Sequence, residues 1–249
     1  MKIRDTPFGV FATAYGLYLL PFIYLLLPPG GAPAPALPWN CSPWDGLRSL
    51  ICLEVLLGAL YASLRLVIDF LHWKQATKDP WQHKDDLLRM AYLNVSLCFL
   101  GRVHGRMAGV FPLLLVYFTA FYTVLFEMVR YVNLHISMDV VGNPRGLGIC
   151  IAALVVILGV LTSHLSLAFQ QGTDFALAYV GWVSLGLLLH ALASALPGGK
   201  LHLHHWYWAF LASHYPIFDC LLSSLAQAAF MGIYIHGAAC FGLEAVYHA

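Results

Sequence analysis

Two groups of residues in this sequence carry side chains that could do chemistry. The first is the run Glu54, Gly58, Tyr61 and Arg65, with Asp69 one turn further on. Spacings of i, i+4, i+7 and i+11 put these residues on one face of a helix, with Asp69 close enough to pair with Arg65. The stretch around this polar stripe is apolar, and an ionisable group inside an apolar span is costly enough to demand a partner or a purpose. An ion or proton path is one purpose; an internal salt bridge that locks helix packing is the plainer one. The second group is histidine. His164, His190 and His236 lie in apolar runs, while His202, His204, His205 and His214 surround an aromatic segment. Histidine is the commonest metal ligand and an axial ligand of haem. His202, His204 and His205, with His164 and His190, are therefore candidate metal ligands. The spacing His202-x-x-His205 lacks the repeated HxxxH and HxxHH boxes of a desaturase, and no HExxH is present. The plainer role is hydrogen bonding between helices, or a seat beside Trp206, Tyr207 and Trp208 in an interfacial aromatic belt.

The elements that must hold these residues follow from composition. The chain has 249 residues, 60% hydrophobic and 10% charged, where a soluble domain carries about a quarter charged residues. Lipid is the expected solvent for much of its surface. A net charge of +1 leaves no field to attract nucleic acid. The six cysteines include no CxxC pair, which argues against a zinc knuckle or a thioredoxin-type site. Apolar runs predict helices over 8–27, 47–71, 107–131, 146–169, 175–196 and 220–243. The stretch 87–101 is apolar but short, a half-span, an interfacial helix or a tilted crossing. A polar loop is expected at 72–86, a kink at Pro112, and a short aromatic helix over 202–215. The expected fold is all-α, a polytopic transmembrane helical bundle of about seven spans (range six to eight) forming a single integral membrane domain over 1–249.

Lys2 and Arg4 precede the first run, and Ala32, Ala34 and Ala36 follow it, as in a cleavable signal. The run is long enough to span, so a retained helix is expected. Lys74, Lys78 and Lys84 follow the second helix, whereas loop 28–46 has no lysine or arginine. This bias puts the N-terminus and loop 72–86 on the cytoplasmic or matrix side. Which membrane is involved stays open between the mitochondrial inner membrane and the endomembrane or plasma membrane. Asn40-Cys41-Ser42 fits a glycosylation acceptor on the far side, or a chance tripeptide in a short loop.

Val103-His104-Gly105-Arg106-Met107-Ala108 looks like the pigment-binding helix of light-harvesting proteins, which needs a Glu five residues before the Arg. That position is Gly101, and the reading is set aside. Leu201-His202-Leu203-His204-His205-Trp206 resembles a stretch in the multi-pass membrane region of LCCL-domain proteins and related uncharacterised eukaryotic microbial proteins. Gln227, Gly232, Gly237 and Gly242 reproduce that region's Q-x4-G-x4-G-x4-G pattern. The resemblance covers about 201–245. It departs at His236 and at Cys240-Phe241, where the family has Asn or Asp and Arg-Trp. It implies a polytopic membrane region and no particular chemistry. Glycines five apart do not share a helix face, so their expected role is helix packing against different neighbours.

The leading expectation is a non-enzymatic membrane protein, an accessory or structural subunit of a larger membrane complex. Its grounds are the lack of a catalytic motif, short loops, and many aromatic and small residues. Its partners would be membrane lipids and other membrane subunits, with no nucleic acid; bound lipids are expected, and the cofactor question stays open between none and a haem or metal ion at the histidine cluster. One rival is a redox protein holding a metal ion or haem on the histidines. The other is a small transporter or proton channel using Glu54, Arg65 and Asp69, although the internal symmetry of inverted-repeat transporters is not visible.

Overall fold

A computed structural model describes residues 43–72, 77–128, 144–181, 183–184, 200–201, 205–243 and 247–248. Six α-helices have both ends among these residues: α1 (Pro43–Phe70), α2 (Pro80–Phe99), α3 (Phe111–Met128), α4 (Pro144–Gln170), α5 (His205–Ala212) and α6 (Leu221–Phe241). A 3-10 turn, Val103–Arg106, links α2 to α3, and residues 173–181 are helical. A two-residue antiparallel ladder sets Lys200 opposite His248 and Leu201 opposite Tyr247. The architecture is otherwise all-helical. The run 8–27, the C-terminal part of 175–196 and Asn40-Cys41-Ser42 lie outside the described residues.

α6 is the central helix. Met231, Tyr234, Ile235, Ala238 and Ala239 are fully buried, and the small residues among them let neighbours approach. At Gly232 the approach is backbone to backbone. A Cβ there would sit 2.9 Å from the carbonyl carbon of Phe118 and 3.0 Å from the amide nitrogen of Thr119 on α3. α5 lies against α6 through aromatic rings. The Trp206 and Tyr234 centroids are 6.4 Å apart and those of Phe210 and Tyr234 are 5.5 Å apart. Trp206 and Phe210 are i, i+4 on α5 and share the face that meets α6. Leu53, Leu57 and Tyr61 of α1 and Met90, Leu93 and Leu97 of α2 complete the main core. A smaller cluster joins Ala168 of α4, Ala176 and Tyr179 to Phe218.

Two of the expectations are corrected. Residues 80–86 are not loop: α2 starts at Pro80, with Asp79 as its N-cap. The Asp79 carboxylate accepts the Gln82 amide at 2.9 Å, and Gln82 Oε1 accepts the Asp79 amide at 3.0 Å. This capping box satisfies two amides that a helix start otherwise leaves open, and Pro80 occupies the position where a missing N–H is harmless. Pro112 does not kink a helix. α3 begins at Phe111, so Pro112 sits in the first turn, where its amide would have no helical acceptor.

Among the described residues, two helices are long and apolar enough to cross a membrane, Trp44–Phe70 and Leu221–Phe241. They differ in surroundings: 67% of the apolar window is buried in α6 and 33% in α1.

The close crossing at Gly232 yields a first prediction. Gly232→Leu should lower the SDS-unfolding midpoint of the purified protein, with a loss of about 1–3 kcal/mol from overpacking. Gly159→Ala on α4, where an added Cβ meets nothing within 4 Å, should leave the midpoint unchanged or raise it. Equal behaviour of the two variants would contradict this packing.

Candidate functional site

The buried polar groups gather at the two ends of α6. The last carbonyls of a helix have no partner within it and carry the negative end of its dipole. At and just beyond the α6 C-terminus three cations from other elements meet chain carbonyls, of which Ala238 O also accepts the Gly242 amide. Lys78 Nζ donates to Ala238 O at 2.7 Å, Arg65 donates to Ala239 O at 3.3 Å, and Arg89 donates to Leu243 O at 2.8 Å. Asp86 anchors the group. It takes a salt bridge from Lys78 at 2.6 Å, the Tyr61 hydroxyl at 3.1 Å and the Leu243 amide at 3.0 Å. The backbone turns away at Gly242, with φ +85°, and a Cβ there would lie 3.2 Å from Asp86 Oδ1. Asp86 thus fills the space that glycine leaves. His83 Nδ1 lies 2.9 Å from the Tyr61 hydroxyl. Tyr61 gives its one proton to Asp86, so His83 is the donor in that contact. Burial pulls the Lys78 ammonium below its usual value, and the neighbouring Asp86 charge offsets part of that pull.

At the other end an arginine–glutamine pair ties three segments together. Arg106, from the 3-10 turn, donates to Gln227 Oε1 and to the carbonyls of Phe218 and Ser223. Gln227 donates in turn to Gly101 O at 2.6 Å and to Ser213 O at 2.8 Å. A Cβ at position 101 would lie 3.2 Å from Gln227 Nε2 and 2.7 Å from Leu97 O. Only glycine leaves room for that amide. Burial lowers the Arg106 guanidinium to about 10, so it remains charged at neutral pH.

Two histidines flank this pair. The His214 ring has Nδ1 3.0 Å from Phe210 O and Nε2 3.0 Å from Ser96 Oγ. A carbonyl only accepts, so Nδ1 carries a proton. Burial lowers the His214 imidazole to about 4, which leaves Nε2 as an acceptor for the Ser96 hydroxyl. His164 repeats the pattern, with Nδ1 2.7 Å from Val160 O and Nε2 2.8 Å from Ser223 Oγ.

The residues singled out from sequence distribute as follows. Both ring nitrogens of His164 are engaged in hydrogen bonds. His190, His202 and His204 lie outside the described residues, and His205 opens α5. Among the described residues no group of three His, Cys, Asp or Glu could hold a metal ion. Arg65 and Asp69 are paired at 3.3 Å, with Asp69 largely exposed. Glu54 stands apart from that pair: its Oε2 accepts Asn94 Nδ2 at 2.8 Å, and Asn94 Oδ1 accepts the Tyr234 hydroxyl at 3.5 Å. Gln227 is the hub at one end of α6, Gly242 the turn at the other, and Gly232 and Gly237 are buried between them. Val103–Arg106 is a 3-10 turn rather than a pigment-binding helix.

Sequence reasoning missed Lys78, Asp86, Arg89, Arg106 and Ser96. The signal for two of them was present: Asp79-Pro80-Trp81-Gln82 is a helix start, and it places Asp86 and Arg89 on one helical edge. Arg106, Gln227 and Ser213 have no such local signature, because they come together only in the folded chain.

Lys78 is nearly fully buried, so Lys78→Met should leave Asp86 uncompensated and cost about 3–5 kcal/mol in SDS titration. The double variant Lys78→Met/Asp86→Leu should recover part of that loss, and no recovery would contradict the coupling. The second expectation concerns pH. His214 must be neutral when folded but charges near 6.5 when unfolded, so protons favour the unfolded state. Stability should fall as pH drops from about 6.5 towards about 4. His214→Gln should be less stable at neutral pH and show a shallower acid loss in thermal melts. An unchanged slope would contradict the assignment.

No protein-family model matches this chain, and no curated protein or solved structure matches it.

Proposed function

We propose that this chain is an integral membrane protein that serves as a non-enzymatic accessory or structural subunit of a larger membrane complex. The observation that carries the membrane part is an inverted distribution of polarity. Leu154, Val155, Val156, Ile157 and Leu158 are all exposed on α4. Five consecutive helical residues sweep more than a full turn, so among the described residues nothing covers the middle of α4 on any side. Val55, Leu66 and Phe70 on α1 and Leu113 and Tyr117 on α3 extend the apolar surface. Arg89, Arg106, Asn94, Gln227, His164 and His214 are buried. Water would penalise so many large apolar side chains left exposed. Lipid would not. The seven-span count, the N-terminus on the cytoplasmic or matrix side, and the kinship with the membrane region of LCCL-domain proteins belong to the same proposal.

The subunit part is supported by how the polar groups are used. Lys78, Arg65 and Arg89 cap helix carbonyls, Gln227 and Arg106 join segments, and His164 and His214 spend both ring nitrogens on hydrogen bonds. These residues hold helices in place.

The test is native electrophoresis of the protein extracted in a mild detergent from the membranes that make it. The expected result is a discrete band well above the 27.6 kDa chain, with co-migrating membrane proteins. A lone monomer, or a chain released by alkaline carbonate without detergent, would overturn the proposal.

A further inference from the structure

α4 is held to the described bundle by its last turns. From Ile151 to Gly159 its described side chains and glycine are exposed, and contact with other elements begins beyond them. In the last turns His164 and Ala168, one turn apart, are the buried pair. Ala168 packs in the Phe218 cluster, with Leu167 beside it. His164 supplies the polar contact. Among the described residues of α4, its side chain alone hydrogen-bonds to another element, Nε2 to Ser223 Oγ at 2.8 Å. Thr162 and Ser163 donate back to carbonyls of α4 itself. An element with so few buried contacts opens more readily than the core around it.

This joint requires a neutral ring. Nδ1–H is spent on Val160 O, so Nε2 accepts the Ser223 hydroxyl. A proton at Nε2 removes that acceptor: Ser223 must reverse to accept from the ring, and its own proton loses its partner. The new charge is also badly placed. The His164 ring packs on Phe218, with centroids 5.7 Å apart, and Arg106 donates to the carbonyls of Phe218 and Ser223, the two residues that His164 touches. The other groups at the joint are the Cys220 thiol, 3.4 Å from Ser223 Oγ, and the Tyr179 phenol, which donates to Tyr215 O. Asp219 acts on Arg102 and Arg106 and not on His164. Charging His164 therefore brings two buried cations together with no acid between them, an arrangement that costs free energy.

We propose that the His164–Ser223 contact is a proton-operated catch: protonation of His164 releases α4 from the N-terminal end of α6. Protons favour the released position, so the catch holds at neutral pH and gives way as pH falls through the histidine range. His164 lies six residues before the polar end of α4 at Gln170, about 9 Å along the helix, which leaves protons a short route to the ring. The catch is at the end of α6 opposite the one that Lys78 meets, so the stimulus is acid on the face away from Lys78. The motion needs no partner subunit and can be measured on the chain itself.

The experiment is double electron–electron resonance on the full chain in lipid nanodiscs. Nitroxides are attached through p-acetylphenylalanine at Ile151 of α4 and Leu222 of α6, both exposed. Between pH about 7.5 and about 5 the long-distance population should grow roughly ten-fold. A reference pair at Val67 of α1 and Leu222 should keep its distance. His164→Gln retains an acceptor for Ser223 but takes no proton, and should stay docked at both pH values. His214→Gln should leave the response of α4 intact. Ser223→Ala should raise the long-distance population already at neutral pH. An unchanged distance in the unmodified sequence, a response that survives His164→Gln, a response abolished by His214→Gln, or a reference pair that lengthens together with the α4 pair would each overturn the proposal.

Discussion

The described fold depends on how the ends of one buried helix are satisfied. α6 is buried along most of its length, and a buried terminal carbonyl left unpaired would cost free energy comparable to a lost hydrogen bond. Arg65, Lys78 and Arg89 supply donors from α1, the segment before α2, and α2 itself. The same contacts that complete α6 thereby fix where α1 and α2 sit. Asp86 makes the arrangement tolerable by balancing Lys78 and accepting the Leu243 amide. The positive charge also opposes the negative end of the helix dipole.

The opposite end obeys the same constraint with different chemistry. There the chain reverses twice, before α3 and before α6, and the carbonyls exposed by those turns are taken by Arg106 and Gln227. Gly101 and Gly232 belong to this logic as absences of side chain: one leaves room for an amide, the other for a neighbouring backbone. Aromatic packing between α5 and α6 then fills the volume between the two polar ends.

Much of the architecture was legible in the sequence, and the reasons differ by element. α1, α4 and α6 were readable because long apolar runs are the strongest helical signal. α2 was half-read, because its first two turns carry His83, Lys84, Asp85 and Asp86 and look like loop until the capping box is noticed. Gln227, Gly232 and Gly242 were visible as a spaced pattern, yet their three different tasks were not. A side chain that bridges carbonyls far apart in sequence leaves no periodicity to detect. Glu54 and Arg65 share a helix face, but Glu54 meets Asn94 of α2, which in turn accepts Tyr234 of α6, while Arg65 meets the end of α6. A shared face fixes direction, and partners are set by what packs there.

The most direct measurement is lipid-phase photolabelling of the intact protein in bilayers, with adducts mapped residue by residue. An inverted bundle around α6 predicts labelling at Val55 on α1, Leu113 on α3 and Val155 on α4, and none at Met231 or Ile235 on α6. Equal labelling of α6, or no labelling of the exposed faces of α1, α3 and α4, would contradict it.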